Sequence, residues 1–127
     1  MTLYRIYLID DDKFLLDMYA VKFKNAGHDI RVFEKGEVAL DSLRKQEAPD
    51  AILLDINMPT MTGFEVLKTI REENLAQGTK IIMLTNQGLS EDYDNAKTYN
   101  VDGYIIKTAS IPSEVYTATI NAIEKKS

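Results

Sequence analysis

Residues 51–67 read AILLDINMPTMTGFEVL. The first four are apolar without alternation, which suits a strand covered on both faces rather than one lying on a wet surface. The run stops on an acid, Asp55. A loop with Met58-Pro59 follows, and Gly63 opens a second pattern in which Phe64, Val66, Leu67 and Ile70 recur at helical spacing. That helix is expected to end near Gly78. The stretch is therefore a strand, a loop and a helix, with a carboxylate at the strand's carboxyl end.

The same unit repeats on both sides. Upstream, Leu3–Ile9 reads as a buried strand, followed by a helix carrying Phe14, Leu15, Met18, Tyr19, Val21 and Phe23 and stopped by Gly27. Ile30–Phe33 is a second strand, and Val38, Ala39, Leu40 and Leu43 mark a second helix closed before Pro49. Downstream, Lys80–Leu84 is a fourth strand. Ser90 is the expected N-cap of a polar fourth helix, with Glu91 and Asp92 in the first turn where the helix dipole favours them. Gly103–Ile106 is a fifth strand. The last helix starts around Ser110-Ile111-Pro112, with Pro in its first turn, and is expected to bury Val115, Ala118, Ile120 or Ala122, and Ile123. Five consecutive βα units with apolar strands predict an α/β fold, a doubly wound parallel sheet covered on both faces. Ligands of such sheets bind beyond the carboxyl ends of the strands.

Composition bounds the function. The 127 residues suit one domain, expected to span 1–127, and 45% hydrophobic with 28% charged is ordinary for a globular protein. A net charge of −5 argues against nucleic-acid binding by this domain, which needs a basic face. The absence of cysteine excludes disulfides and thiolate metal sites. No run is long enough to cross a bilayer, so no membrane role is expected. MTLYRIYLIDDD lacks the pattern of a signal peptide, and the expected compartment is the cytoplasm. Lys125-Lys126 is read as a solvated helix end.

The strand ends carry the chemistry. The first ends in Asp10-Asp11-Asp12, the third in Asp55, the fourth in Thr85 and the fifth in Lys107. Crowded carboxylates raise one another's pKa or attract a cation. With no His or Cys at these ends the ligands are all oxygen, which suits Mg²⁺, Ca²⁺ or Mn²⁺. A lysine neutralises a phosphoryl oxygen, a threonine hydroxyl donates to another, and a carboxylate is a competent nucleophile toward phosphorus. The set fits phosphoryl transfer.

These residues resemble the receiver domains of two-component response regulators, the CheY-like family. The resemblance rests on LIDDD at the first strand's end, LLDINMPTMTGFEVL (53–67), IIMLTN at the fourth strand and DGYIIK (102–107), and it spans essentially the whole chain. It implies the flavodoxin-like strand order 2-1-3-4-5. It implies Asp55 as phosphoacceptor, Lys107 and Thr85 as the groups that hold the phosphoryl oxygens, and Mg²⁺ bound by Asp11, Asp55 and the Asn57 carbonyl, with Asp10 assisting. Asp12 is then left to cap the first helix. Tyr104 matches the aromatic that turns inward as the threonine moves, and Asn57 and Gln87 match positions that tune dephosphorylation. The implied partners are a sensor histidine kinase or histidine phosphotransfer protein and an output partner at the helix-four face. A monomer or a weak phosphorylation-dependent dimer is expected, either stand-alone or part of a longer regulator.

Some features depart from the pattern. Thr62 replaces the usual Asp before Gly63, and is expected to cap in its place. Thr108 stands where the family usually has Pro after the lysine, and its peptide bond is expected to be trans. Asn86 is bulkier than the small residue usual after Thr85. His28 is read as a solvent-exposed turn residue with no catalytic part, and Tyr93, Tyr99 and Tyr116 as aromatics near the output face. Three rival readings remain: a haloacid-dehalogenase-like phosphatase with Asp10 as nucleophile and Asp12 as general acid, an FMN-binding flavodoxin-type domain, and a receiver-like module silent to phosphorylation.

Overall fold

In the computed structural model, which describes residues 2–45 and 48–125, five strands and five α-helices alternate along the chain. They are β1 (Arg5–Ile9), α1 (Lys13–Asn25), β2 (Asp29–Phe33), α2 (Gly36–Lys45), β3 (Ala51–Asp55), α3 (Gly63–Glu72), β4 (Lys80–Thr85), α4 (Ser90–Thr98), β5 (Gly103–Ile106) and α5 (Pro112–Glu124). A short 3₁₀ turn, Lys107–Ala109, links β5 to α5. All strands pair in parallel, in the order β2-β1-β3-β4-β5. The expected doubly wound sheet and strand order are both found.

Alternation along the strands divides the core in two. Tyr7, Ile9, Ile52, Leu54, Ile81 and Met83 face α2 and α3, packing on Leu40, Val66, Leu67 and Ile70. Ile6, Leu8, Leu53, Ile82 and Leu84 face α1 and α5, packing on Leu16, Tyr19, Phe23 and Val115. Every residue of β3 is buried, as its unbroken apolar run requires. Each Leu or Ile sealed this way contributes about 1.5–3 kcal/mol relative to an exposed one.

The buried stripe of α1 differs from the expected one. Two apolar stripes run along this helix. Leu16, Tyr19, Ala20 and Phe23 are buried, whereas Phe14, Met18 and Val21 are exposed at 76%, 37% and 54%. Spacing i, i+4, i+7 fits both sets, so periodicity alone did not choose between them. On α2, Val38 likewise lies outside. On α5, Val115 and Thr119 are the buried residues, the Thr119 hydroxyl donating to the Val115 carbonyl at 2.8 Å; Ala118, Ile120, Ala122 and Ile123 are half-buried.

Three helices end in one backbone device. After α1, Gly27 takes φ +93°, its N–H donates to the Lys24 carbonyl and the His28 N–H to the Phe23 carbonyl. After α3, Asn74 takes φ +55°, with Asn74 N–H on Arg71 and Leu75 N–H on Ile70. After α4, Asn100 takes φ +57°, with Asn100 N–H on Lys97 and Val101 N–H on Ala96. These are Schellman caps, in which a left-handed residue closes the helix and the next residue folds back onto it. The end of α3 is therefore set by Asn74, four residues before the expected stop near Gly78, because asparagine also tolerates the left-handed region.

The same device corrects the reading of His28. As the fold-back residue it is buried, its Nδ1 accepting from the Tyr4 N–H at 3.0 Å and its Nε2 lying 3.0 Å from the Tyr116 hydroxyl. Tyr116 thus belongs to this cluster with Phe23, and not to the face expected to carry output. Of the other helix starts, α3 has a full capping box between Thr62 and Glu65, as expected of Thr62. Ser90 is the first residue of α4 rather than its cap; Leu89 takes the cap position without a side-chain bond. Lys125 is exposed, and Lys126 lies outside the described residues. No peptide bond among the described residues is cis, so the bond before Thr108 is trans.

Candidate functional site

Register sets the rim of the sheet. β1 and β3 pair Ile9 with Leu54, so Asp10 and Asp55 emerge side by side. β4 and β5 pair Thr85 with Ile106, so Lys107 emerges one step beyond Thr85. Gly63 fixes the approach of α3. A Cβ there would overlap the Asp55 carbonyl and reach the Ile56 Cα at 2.9 Å, so only glycine lets the helix start this close to the end of β3. The Gly63 N–H donates to the Ile56 carbonyl at 2.9 Å.

Lys107 lies between two carboxylates. Its Nζ is 2.8 Å from Asp10 Oδ2 and 3.3 Å from Asp55 Oδ1. Asp10 and Asp55 are 0% and 1% exposed. Asp10 Oδ1 also accepts from the Asp12 N–H at 3.0 Å, and Asp55 Oδ1 from the Asn57 N–H at 3.4 Å. Asp11 is exposed, and oxygens of Asp10, Asp11 and Asp55 lie within 4.8 Å of one another. Asp12 turns away: its Oδ1 accepts from the Leu15 N–H at 3.2 Å and caps α1.

One buried ammonium faces two buried carboxylates, so the site carries excess negative charge. Burial pushes the Asp55 carboxyl up to about 7, the Asp10 charge adds to this, and Lys107 and the Asn57 N–H pull the other way. For Lys107 burial opposes the charged form, but the hydrogen bond and charge of Asp10, with those of Asp55, outweigh it and leave the ammonium pKa raised. An all-oxygen donor set open to solvent at Asp11 fits a hard divalent cation. Beside Asp11 a pocket of about 330 Å³ opens between the β2–α2 and β3–α3 loops, lined in part by Glu34, Lys35, Met58 and Met61.

Thr85 is fully buried at the end of β4 and engages Gln87 rather than Asp55. Its hydroxyl donates to the Gln87 carbonyl at 2.9 Å and accepts from the Gln87 N–H at 3.3 Å. Tyr104 is half-buried: its ring meets Tyr93 edge-on at 5.4 Å, and its hydroxyl is sealed from solvent with the Thr85 side chain as a polar neighbour. Burial, with the Asp92 charge, raises the Tyr104 hydroxyl pKa, and the Thr85 side chain pulls weakly the other way. Asn57, Asn86 and Gln87 are exposed at the rim. Thr108, noted in the sequence only for lacking a ring, donates its hydroxyl to the Asn86 carbonyl at 3.0 Å, a contact between two loops that spacing gave no means of finding.

The family model for the response regulator receiver domain matches residues 6–118. The chain belongs to that family. Among relatives of this receiver, the probable transcriptional regulatory protein TcrX of Mycobacterium tuberculosis is 31% identical over 110 residues, 87% of this chain and 46% of that protein. The DNA-binding response regulator MtrA of Mycobacterium leprae is 33% identical over 103 residues, 81% of this chain and 44% of that protein. The receiver thus spans less than half the length of these curated relatives. Among solved structures, the chemotaxis protein CheY4 of Vibrio cholerae matches with a TM-score of 0.86 at 26% identity, covering 95% of this chain and 99% of that one. A putative response regulator from Chloroflexus aurantiacus matches with a TM-score of 0.86 at 26% identity, covering 98% of this chain and all of that one. The receiver is thus of the CheY-like fold. Asp12, the general acid of a haloacid-dehalogenase-like reading, is exposed and uses Oδ1 to cap α1.

Proposed function

We propose that residues 1–127 form a phosphorylation switch in which Asp55 is the phosphoacceptor. The observation that carries this reading is the Lys107 ammonium bridging the buried Asp10 and Asp55, with Asp11 beside them. An Asp55 carboxylate oxygen attacks the phosphorus of a phosphohistidine on a sensor histidine kinase or phosphotransfer protein. The P–N bond breaks, the imidazole keeps the electron pair and takes up a proton, and an acyl phosphate remains on Asp55. Asp11, Asp55 and the Asn57 carbonyl would hold Mg²⁺, with Asp10 assisting. Bound there, the ion supplies positive charge against the phosphoryl oxygens.

Lys107 and Thr85 then pair with two of those oxygens, Thr85 giving up Gln87 to do so. Contacts that exist only in the phosphorylated form shift a pre-existing equilibrium, here toward an active β4–α4–β5 surface. Attack by water on phosphorus later releases inorganic phosphate and restores the carboxylate. Output runs through protein contacts at the α4 face, with a net charge of −5 opposing nucleic-acid binding by this domain. The relatives named as transcriptional or DNA-binding regulators are about twice as long, and the matched half is the part that we take to receive the signal. The compartment we propose is the cytoplasm and the resting state a monomer, with at most a weak phosphorylation-dependent dimer; among the described residues no helix is long and apolar enough to cross a membrane.

The test is the intact mass after incubation with acetyl phosphate and Mg²⁺. A gain of one phosphate that disappears in Asp55→Asn and without the metal is expected. No gain by the folded wild type would favour the silent module, and a gain lost with Asp10 but kept without Asp55 would favour a phosphatase-like site.

A further inference from the structure

The peptide unit joining Asn86 to Gln87 is held at both of its polar ends. Its carbonyl accepts from the Thr108 hydroxyl at 3.0 Å, and its N–H donates to Thr85 Oγ1 at 3.3 Å. The Thr85 hydroxyl donates in turn to the Gln87 carbonyl at 2.9 Å. The two threonines sit on adjacent strand ends, since Thr85 pairs with Ile106. A peptide unit is rigid and planar, with its carbonyl and N–H pointing in opposite directions. Swinging the N–H away from Thr85 therefore swings the carbonyl away from Thr108. Hydrogen bonds in such a chain also polarise one another, so losing one weakens the next.

We propose that Thr108 is a positioning residue: its hydroxyl latches the Asn86–Gln87 peptide and thereby holds the Thr85 hydroxyl on Gln87, in the resting position. The proposal rests on the reading of Asp55 as phosphoacceptor, in which Thr85 must leave Gln87 to reach a phosphoryl oxygen. The latch opposes that departure. It depends on a hydroxyl at this position, so the proline usual in the family would not supply it. Thr108 is exposed and its hydroxyl bonds the Asn86 carbonyl, so the latch acts through the peptide that it holds.

Two substitutions separate the hydroxyl from the shape of the side chain. Thr108→Val keeps the branching and removes the donor; Thr108→Ser keeps the donor. In the metal-free protein, the Gln87 amide is followed by hydrogen exchange in NMR spectra. Exchange about threefold to tenfold faster in the Val variant, with Ser near wild type, is the expected result for the loss of one such bond. Equal protection in wild type and Val overturns the latch. The second measurement is the affinity for beryllofluoride, a phosphoryl mimic, in the presence of Mg²⁺. The Val variant is expected to bind about threefold to tenfold more tightly, because less resting-state stabilisation has to be given up. Unchanged or weaker binding overturns the proposal. Failure of the wild type to bind beryllofluoride would count against the phosphoacceptor reading instead, and the exchange experiment would still decide whether Thr108 positions Thr85.

Discussion

The Lys107 ammonium sits 2.8 Å from Asp10 Oδ2, with both side chains almost sealed from solvent at 4% and 0% exposure. This pair neutralises one of two adjacent buried carboxylates, and the second shares the same ammonium at 3.3 Å. Removing the lysine strands both acids. Lys107→Ala is expected to cost about 3 kcal/mol in metal-free protein at pH 8, read by urea unfolding. Mg²⁺ should then recover more stability in the variant than in wild type. Equal recovery in both would separate the cation from the charge imbalance.

Asp55 makes stability depend on pH. Its carboxyl is pushed up to about 7 in the fold from an ordinary value of 3.8, chiefly by burial and next by the Asp10 charge. The folded state therefore holds this proton more tightly than the unfolded chain does. The contribution is full below about pH 4 and is lost as pH rises through about 7. Asp55→Asn removes this dependence. In metal-free protein the variant is expected to exceed wild type at pH 8 by up to about 4 kcal/mol, and to match it near pH 4. A difference between the two melts that does not change with pH would contradict the shift.

Gly63 carries no side chain because the Asp55 carbonyl occupies the place where a Cβ would go. Gly63→Ala must push α3 off the end of β3 and is expected to cost about 1–3 kcal/mol. It should also slow phosphorylation by acetyl phosphate, because the strand end that aims Asp55 moves with it. Wild-type melting together with wild-type phosphorylation would show that the approach relaxes freely.

His28 tests the opposite end of the molecule. His28→Leu leaves the Tyr4 N–H and the Tyr116 hydroxyl without their partner. The expected loss is about 1–3 kcal/mol by thermal or urea unfolding. Phosphorylation rates should stay at the wild-type value, and a change there would mean that this cluster communicates with the rim.

Much of this was legible in advance because it depends on local pattern. The five apolar runs, the acids and lysine closing them, and the capping roles of Asp12 and Thr62 all follow from residue type at fixed spacing. The α1 stripe was not legible, because Phe14, Met18 and Val21 share the period of Leu16, Tyr19 and Phe23, and only the position of α5 selects between them. The end of α3 was passed over because asparagine is a less obvious stop than glycine. His28 looked like a turn residue because its burial depends on Tyr4 and Tyr116, which are distant in sequence. At the site, residue identities named the participants but not their partners. That Thr85 rests on Gln87, and that Thr108 reaches Asn86, depends on two loops meeting across adjacent strand ends.

In a βα fold the helices run back against the strands, so the left-handed residues Gly27, Asn74 and Asn100 close their helices at the edge of the sheet opposite the rim where Asp10, Asp55 and Lys107 gather. Instructions for where helices stop and instructions for reactivity are written into different margins of the same sheet. A substitution at the rim can alter the cluster of Asp10, Asp55 and Lys107 without erasing a helix stop, and one at the far margin can alter a helix end without touching that cluster.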